Sequence, residues 1–423
     1  MAGVCPYWWR TVCTMSDGSA MASPSSGGRR WRVPMVARDA GERHRTATPL
    51  ELLFDLTFVV AVAAAAAQLA HAIVEDHAAQ GLLGYLMVFF AIWWAWMNFT
   101  WFASAYDPDD APYRLLTLLQ MGGVLVLAAG VPAALNEQNF TAVTIGYVIM
   151  RVAMLVQWLR AAHNDPVRRA TALRYAAGTA AVQAGWLVRL AIPEPAGFVG
   201  FFVLVAAELA VPVWAERRTD TTWHPHHIAE RYGLFTIIVL GECVLAASRA
   251  LAPAVEAGVD LDIVLVGGGG LLLLFGCWWL YFLAPAAAGL AQHRDRSFWW
   301  GYGHYGIFAA LAALGAALEV VAETLTHPVA APTGLVGFAV VTPVCVFLLL
   351  VWALHAPLEA APSRKLGYVL AACAVLVGVA AATTAGFTLP WAVVAMSAPV
   401  LALIALRVTA DHCHARRRTS ATQ

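Results

Sequence analysis

The chain has 423 residues, of which 61% are hydrophobic and 12% are charged, and its mean hydropathy is +0.68. Soluble globular domains contain about 45–50% apolar and about 25% charged residues, so this composition excludes that class and predicts an integral membrane protein. The formal net charge is zero, so the information lies in how the charges are distributed along the chain. No feature of the composition indicates a nucleic-acid partner, and the seven cysteines show no paired spacing.

Residues 1–46 differ from everything that follows. They contain seven arginines among Ser, Gly and Pro, without an apolar run long enough for a signal peptide. We therefore predict a disordered, basic, cytoplasmic tail. A true start at Met15, Met21 or Met35 is the alternative.

Twelve apolar segments follow the tail, each close to the ~20 residues that a helix needs to cross the hydrocarbon core. They are predicted at 50–70, 82–104, 115–135, 140–161, 172–192, 197–215, 229–249, 263–284, 303–322, 334–354, 366–386 and 389–408. The predicted fold class is therefore all-α, a polytopic transmembrane bundle of about twelve helices.

The basic residues predict the orientation of these segments. Of the 26 lysines and arginines, only Arg189 and Arg249 lie near one side and Arg151 lies within a segment, whereas all others fall on the opposite side. The positive-inside rule then predicts a protein of the cell membrane with both termini in the cytoplasm.

Two recurring patterns predict an internal repeat. Phe90-Ala-Ile-Trp-Trp94 in the second segment matches Phe275-Gly-Cys-Trp-Trp279 in the eighth, and a Glu-to-Thr spacing opens both the first and the seventh segments. We predict two six-helix halves related by an axis along the membrane normal. The alternative is that these patterns recur by chance in a Trp-rich protein. The predicted boundaries are 47–215 and 229–408 for the halves, 216–228 for a cytoplasmic linker and 409–423 for a basic tail.

Several stretches resemble the signatures of the bacterial low temperature requirement A family. They are Glu51–Val60, Trp93–Trp101, Tyr106–Arg114, Ala172–Tyr175 and His227–Glu242, in matching order over roughly residues 45 to 410. The resemblance implies a multi-pass membrane protein associated by name with growth in the cold. It implies no particular biochemical activity or cofactor.

Ionisable residues inside the apolar segments are the first candidates for a functional site. A charged side chain at the bilayer centre costs roughly 2.5–3.5 kcal/mol on insertion scales, so such residues face protein or water and need partners. The predicted transport and charge network consists of Glu51, Asp55, Arg151, Glu208, Glu230, Arg231 and Glu242. The alternative is that Arg151 neutralises one carboxylate as a structural pair while the others are protonated.

Arg151 has no acidic residue three or four positions away. We therefore predict that the first, fourth, sixth and seventh helices meet in one bundle and that Arg151 pairs with Glu242 or Glu208.

Other candidates for a functional site are weaker. The acidic loop of Asp107, Asp109 and Asp110 offers oxygen ligands for a divalent cation, but a solvated loop with Arg114 as counter-charge is favoured. His224, His226 and His227, with His163, match no zinc spacing, so no metal site is predicted. The Gly267–Gly270 run favours close helix packing over an unwound helix.

Two classes of function are therefore considered. The favoured one is a secondary transporter or ion-conducting protein that uses the intramembrane carboxylates for a proton or a small cation. The alternative is a membrane enzyme or lipid-handling protein with a site at the cytoplasmic face, formed by the residues from His224 to Glu230 and by the acidic loop. A non-enzymatic role is favoured, and the sequence predicts neither a cofactor nor an oligomeric state.

Overall fold

The computed structural model of the protein describes residues 31–39, 41–42, 45–283, 286–358 and 365–421. Within these ranges the backbone forms thirteen α-helices and no β-strand, which confirms the all-α class. The helices are α1 (Pro49–Val74), α2 (Ala78–Ala105), α3 (Ala111–Asn136), α4 (Thr141–Asn164), α5 (Arg169–Arg189), α6 (Ala196–Ala215), α7 (Pro225–Ala257), α8 (Leu261–Phe282), α9 (Ala286–Gln292), α10 (Ser297–Glu323), α11 (Thr333–His355), α12 (Lys365–Thr384) and α13 (Leu389–Ala421).

All the long helices correspond to predicted segments, and α9 is a short helix that the sequence did not predict. In the described ranges, eleven helices are long and apolar enough to cross a membrane. The remaining long helix is α5, whose apolar residues are interrupted by Thr171, Arg174, Thr179 and Gln183. Three of these four, Thr171, Thr179 and Gln183, are buried against neighbouring helices, so the polarity of α5 reflects contacts within the protein.

Local capping residues determine where the helices that carry the site begin. Thr48 and Glu51 form a reciprocal capping box at the start of α1, followed by Pro49 in the first turn. Asp110 caps α3 by accepting a hydrogen bond from the Tyr113 backbone N–H at 2.9 Å, and His224 caps α7. These caps start the helices one to four residues earlier than the apolar pattern predicts.

The end of the N-terminal tail packs on the helix bundle. We call its described residues, 31–39, 41–42 and 45–46, the strap. Met35 is fully buried, and the Val33 and Arg38 backbone N–H groups donate to Asp110 Oδ2 and to the Ala105 carbonyl, both at 2.9 Å. The strap therefore packs on the bundle, whereas the sequence predicted disorder for all of residues 1–46, because it has a buried anchor and backbone hydrogen bonds. The rest of that tail, residues 1–30, lies outside the described residues.

The helices α1, α7 and α10 pack against one another and run in the same direction. Asp55 near the start of α1 contacts Arg231 near the start of α7, and Tyr232 packs on Trp300 near the start of α10. The predicted meeting of the first, fourth, sixth and seventh helices is not what forms. Instead, α4 packs chiefly on α3 and α5, and α6 packs on α5.

Within each half of the chain, the helices pack against one another in pairs that correspond between the halves. The pairs are α1–α2, α1–α3, α3–α4, α4–α5 and α5–α6 in the first half, and α7–α8, α7–α10, α10–α11, α11–α12 and α12–α13 in the second. The tryptophans that suggested the repeat differ, because Trp93 and Trp94 are buried whereas Trp278 and Trp279 are 45% and 48% exposed. The two-repeat organisation stays a prediction.

The glycine run in α8 serves helix packing. The helix is continuous through residues 267–270, and a Cβ on Gly269 would lie 2.9 Å from the Val394 backbone nitrogen of α13. This close approach agrees with the favoured interpretation of the run.

Candidate functional site

Two helices meet at a buried ion cluster, which we call the α1–α7 cluster and which comprises Glu51, Asp55, His227 and Arg231. Arg231 donates from Nε to Asp55 Oδ2 at 3.0 Å and from Nη2 to Asp55 Oδ1 at 2.5 Å. Its third nitrogen, Nη1, lies 2.9 Å from Glu51 Oε1. Glu51 and Asp55 are four residues apart and therefore share a face of α1, which lets one guanidinium bridge both. All three side chains are fully buried.

Further charged groups connect this cluster to the strap. His227 Nε2 lies 3.1 Å from Glu51 Oε1. Arg45 Nη2 lies 3.8 Å from Glu51 and 3.7 Å from Asp107, and it donates to the Ala103 carbonyl at 2.6 Å. Burial raises the pKa of Asp107 to about 6, and burial also lowers the pKa of Arg45. The strap thus covers the end of the α1–α7 cluster and contributes a cation to it.

A second buried carboxylate, Glu208 on α6, is surrounded by hydrogen-bond donors. The donors are Arg151 Nη2 (2.9 Å), Trp94 Nε1 (2.8 Å), Tyr147 Oη (2.7 Å), Gln183 Nε2 (3.0 Å) and Trp186 Nε1 (3.3 Å). A carboxylate offers about four lone-pair sites, so these donors saturate it. Arg151 therefore pairs with Glu208, one of the two predicted partners, and not with Glu242. The hydrogen bonds to Glu208 on α6 come from α2, α4 and α5, so this carboxylate holds four helices together.

The helix α2 lies between these two charged sites. Residues two apart on an α-helix point about 200° apart, hence to opposite sides. Trp94 Nε1 donates to Glu208, whereas Trp96 Nε1 donates to Asp55 Oδ1 at 2.7 Å. Both indoles are fully buried. The sequence predicted neither contact: Trp94 was a marker of the repeat, and both tryptophans lie in the family-like stretch Trp93–Trp101.

Glu242 lines a different feature, a cavity of about 270 Å³ between α1, α7 and α10, which we call the Glu242 cavity. Arg249 and Glu319 line it as well. Glu242 and Arg249, seven residues apart, thus lie on the same face of α7. Glu319 was missed, although an acid inside the apolar segment 303–322 was the signal that could have found it.

The Glu242 cavity and the α1–α7 cluster lie on the same helices at different depths. The cavity residues lie in the middle and the second half of α1, α7 and α10, whereas the cluster lies near the starts of α1 and α7. Arg231 and Glu242 are eleven positions apart, about 16 Å along the helix axis. Fully buried apolar side chains lie between the two: Phe58 on α1, Phe235 on α7 and Phe308 on α10.

Every carboxylate of the predicted acidic loop has an arginine partner. The pairs are Asp107 with Arg38 (3.6 Å) and Arg45 (3.7 Å), Asp109 with Arg114 (2.7 Å), and Asp110 with Arg160 (2.7 Å). Arg114 is therefore the counter-charge of Asp109, as predicted. The prediction of a solvated loop is wrong for Asp107 and Asp110, because both side chains are buried against the strap and α4. Among the described residues, no group of three or more His, Cys, Asp or Glu side chains has the arrangement of a metal site.

The histidines at the start of α7 have structural partners. His224 Nε2 lies 2.8 Å from the Glu42 carbonyl oxygen of the strap, and His227 contacts Glu51. Glu230, which was predicted to belong to the charge network, takes part in none of the ion pairs among the described residues, and its Oε2 is buried without a hydrogen-bond partner there. The network therefore includes Arg231 but not its sequence neighbour.

The fold and these buried charges define a multi-pass helical membrane protein. The family described as bacterial low temperature requirement A protein matches residues 46–405, and the chain belongs to this family. The chain is also 26% identical over 242 residues to an uncharacterized protein of Rhizobium meliloti (strain 1021). That match covers 55% of this chain and 57% of the relative, so the chain spans little more than half of the relative's length.

Proposed function

We propose that the protein is a secondary transporter or ion-conducting protein of the cell membrane, and that Glu242 and Glu319 bind the proton or cation that it moves. The Glu242 cavity carries this proposal. Two carboxylates and one guanidinium line it within segments that are apolar enough to span a membrane. Ionisable groups at such a position are costly, and a solute pathway is the function that most commonly explains them.

The separation of the cavity from the α1–α7 cluster supports a transporter that opens to one side at a time. Apolar side chains close the space between the two, and the strap covers the far end of the cluster. Transporters that alternate access need a binding site near the middle of the membrane and a closed barrier on one side of it. In this proposal the Glu242 cavity is the binding site, and the α1–α7 cluster with the strap is the closed barrier, facing the cytoplasm.

Within the proposal Glu208 and Arg151 serve as a structural anchor. Five donors saturate the Glu208 carboxylate, so it has no free position for a transported ion. The proposal therefore assigns ion binding to Glu242, which the sequence predicted, and to Glu319, which it did not. It assigns no ion binding to Glu208.

The alternative function, a membrane enzyme or lipid-handling protein with a cytoplasmic site, has less support. The acids of its loop are paired with arginines, and His224 and His227 contact the strap and Glu51. A catalytic acid or base must come within hydrogen-bond distance of its substrate. Side chains that are engaged in these contacts are not free to do so.

The test is flux through the purified protein in liposomes. A potassium gradient with valinomycin sets the membrane potential, and the entry of protons, sodium ions and alkylammonium ions is measured separately. We expect flux of at least one of these ions above that of protein-free liposomes. Glu242→Gln and Glu319→Gln should each abolish it, whereas Glu137→Gln, at an exposed loop position, should not. Wild-type protein that passes none of these ions contradicts the proposal.

A further inference from the structure

The walls of the Glu242 cavity are almost entirely small and apolar. Apart from Glu242, Glu319, Arg249 and Cys243, the lining residues are Val62, Ala63, Ala64, Ala66, Ala67, Val239, Ala246, Ala312, Gly315 and Ala316. Mostly apolar walls with a few polar groups are typical of a site for a small organic molecule. The short side chains of alanine and glycine leave the space that forms the cavity.

A dehydrated metal cation is a poor fit to these walls. Calcium takes six to eight oxygen ligands, and magnesium requires octahedral oxygen coordination. Glu242 and Glu319 supply four carboxylate oxygens between them, and no other lining side chain has an oxygen atom. The backbone carbonyls are also engaged, because α1, α7 and α10 are continuous helices through the cavity.

We infer that the Glu242 cavity binds a short primary alkylammonium ion, an inference that rests on the proposed function and names its class of cargo. An ammonium group has three N–H donors, which the carboxylates of Glu242 and Glu319 can accept. Its alkyl chain then contacts the alanine and valine walls, where burial from water is favourable.

The charges around the cavity favour a single positive charge on the ligand. Two carboxylates and the guanidinium of Arg249 give the lining a formal net charge of −1. Glu323, one turn beyond Glu319 on α10, adds negative charge outside the lining. A monocation neutralises the lining, whereas an anion or a neutral solute leaves a carboxylate uncompensated.

The experiment is direct binding to the full-length protein in detergent, with n-butylammonium as the probe. Saturation-transfer NMR detects the probe's methyl signal, and titration gives the dissociation constant. We expect saturable binding that 1-butanol, butyrate and sodium chloride at equal ionic strength do not displace. Glu242→Gln and Glu319→Gln should each weaken binding about tenfold or more, because each removes a charge-assisted hydrogen bond. Glu137→Gln is the matched control and should bind as the wild type does.

A second variant tests the place of the alkyl chain. Ala67 is exposed at the edge of the cavity, so Ala67→Leu is compatible with folding and narrows the space. It should weaken binding of n-butylammonium more than binding of methylammonium.

The binding and flux experiments together distinguish failure of the alkylammonium site from failure of the transport function. Cation flux in liposomes without butylammonium binding overturns the inference and leaves the transport function standing. Butylammonium binding without flux of any ion supports the site and removes transport. Binding that persists unchanged in both carboxylate variants, or displacement by sodium, also overturns the inference.

Discussion

Trp94 and Trp96 stand two residues apart on α2 and donate their indole N–H groups to two carboxylates on different sides of the helix, Glu208 and Asp55. The first carboxylate lies on α6, where Arg151 of α4 also binds it, and the second belongs to the α1–α7 cluster. One turn of α2 therefore holds both charged sites in place. A displacement of α2 disturbs the donors of both carboxylates together.

Replacing either tryptophan should leave a buried carboxylate short of one donor. We expect Trp94→Phe and Trp96→Phe each to lower the free energy of unfolding by about 1–3 kcal/mol. In double-variant cycles, Trp96→Phe should couple with Asp55→Asn and be additive with Glu208→Gln. Unfolding in mixed micelles measures this. Coupling of Trp96 to Glu208 with none to Asp55 contradicts the arrangement.

Glu208 and Glu242 should differ in their effect on stability. Glu208→Gln leaves Arg151 buried without its partner, so we expect a loss of about 3–5 kcal/mol, part of which Arg151→Met in the same chain should restore. Glu242→Gln should change stability by less than about 0.5 kcal/mol, because Glu242 faces a cavity. Thermal unfolding compares the variants. A large loss for Glu242→Gln alone would assign it a structural role.

Asp107 should make stability depend on pH. Its pKa is raised from 3.8 to about 6 by burial, so the folded protein binds this proton more tightly than the unfolded chain does. The resulting stabilisation is fully present below about pH 4 and is lost as the pH rises through 6. Relative to Asp107→Asn, the wild type should therefore lose about 1–3 kcal/mol between pH 4 and pH 7. A difference between the two proteins that is independent of pH contradicts the assignment.

Arg45 should hold the strap on the bundle. Its guanidinium contacts Asp107, Glu51 and the Ala103 carbonyl, so Arg45→Ala removes the cation between them. We expect faster amide hydrogen exchange in residues 31–46 and in the first turn of α1, measured by mass spectrometry, without a change in α10. The control is Arg32→Ala, at an exposed strap position. Equal exchange in both variants would show that Arg45 does not hold the strap.

The predicted orientation can be checked with reporter fusions. The positive-inside rule puts both termini in the cytoplasm, so fusions after Gln138, between α3 and α4, and after Arg169, at the start of α5, should report opposite sides of the membrane. Periplasmic phosphatase and cytoplasmic fluorescence reporters provide the two readouts. The same side at both positions is incompatible with α4 crossing the membrane.

Several parts of the architecture follow from the sequence alone. Apolar segments of about twenty residues can satisfy their backbone groups in a bilayer only as helices, so the all-α membrane fold follows from composition and segment length. Thr48, Asp110 and His224 start their helices through local hydrogen bonds. The four-residue spacing of Glu51 and Asp55 placed both acids on one face.

Only the tertiary structure decided which charges meet. From the sequence, Glu208 and Glu242 were equally good ion-pair partners for Arg151. The spacing of residues along a helix and their depth in the membrane describe each helix separately and do not show which helices are neighbours. The packing of α4, α5 and α6 brought Glu208 to Arg151, whereas α7 and α10 brought Glu242 to Glu319. A buried charge is stabilised by whichever partner lies within a few ångströms, and that distance depends on how helices far apart in the chain pack together.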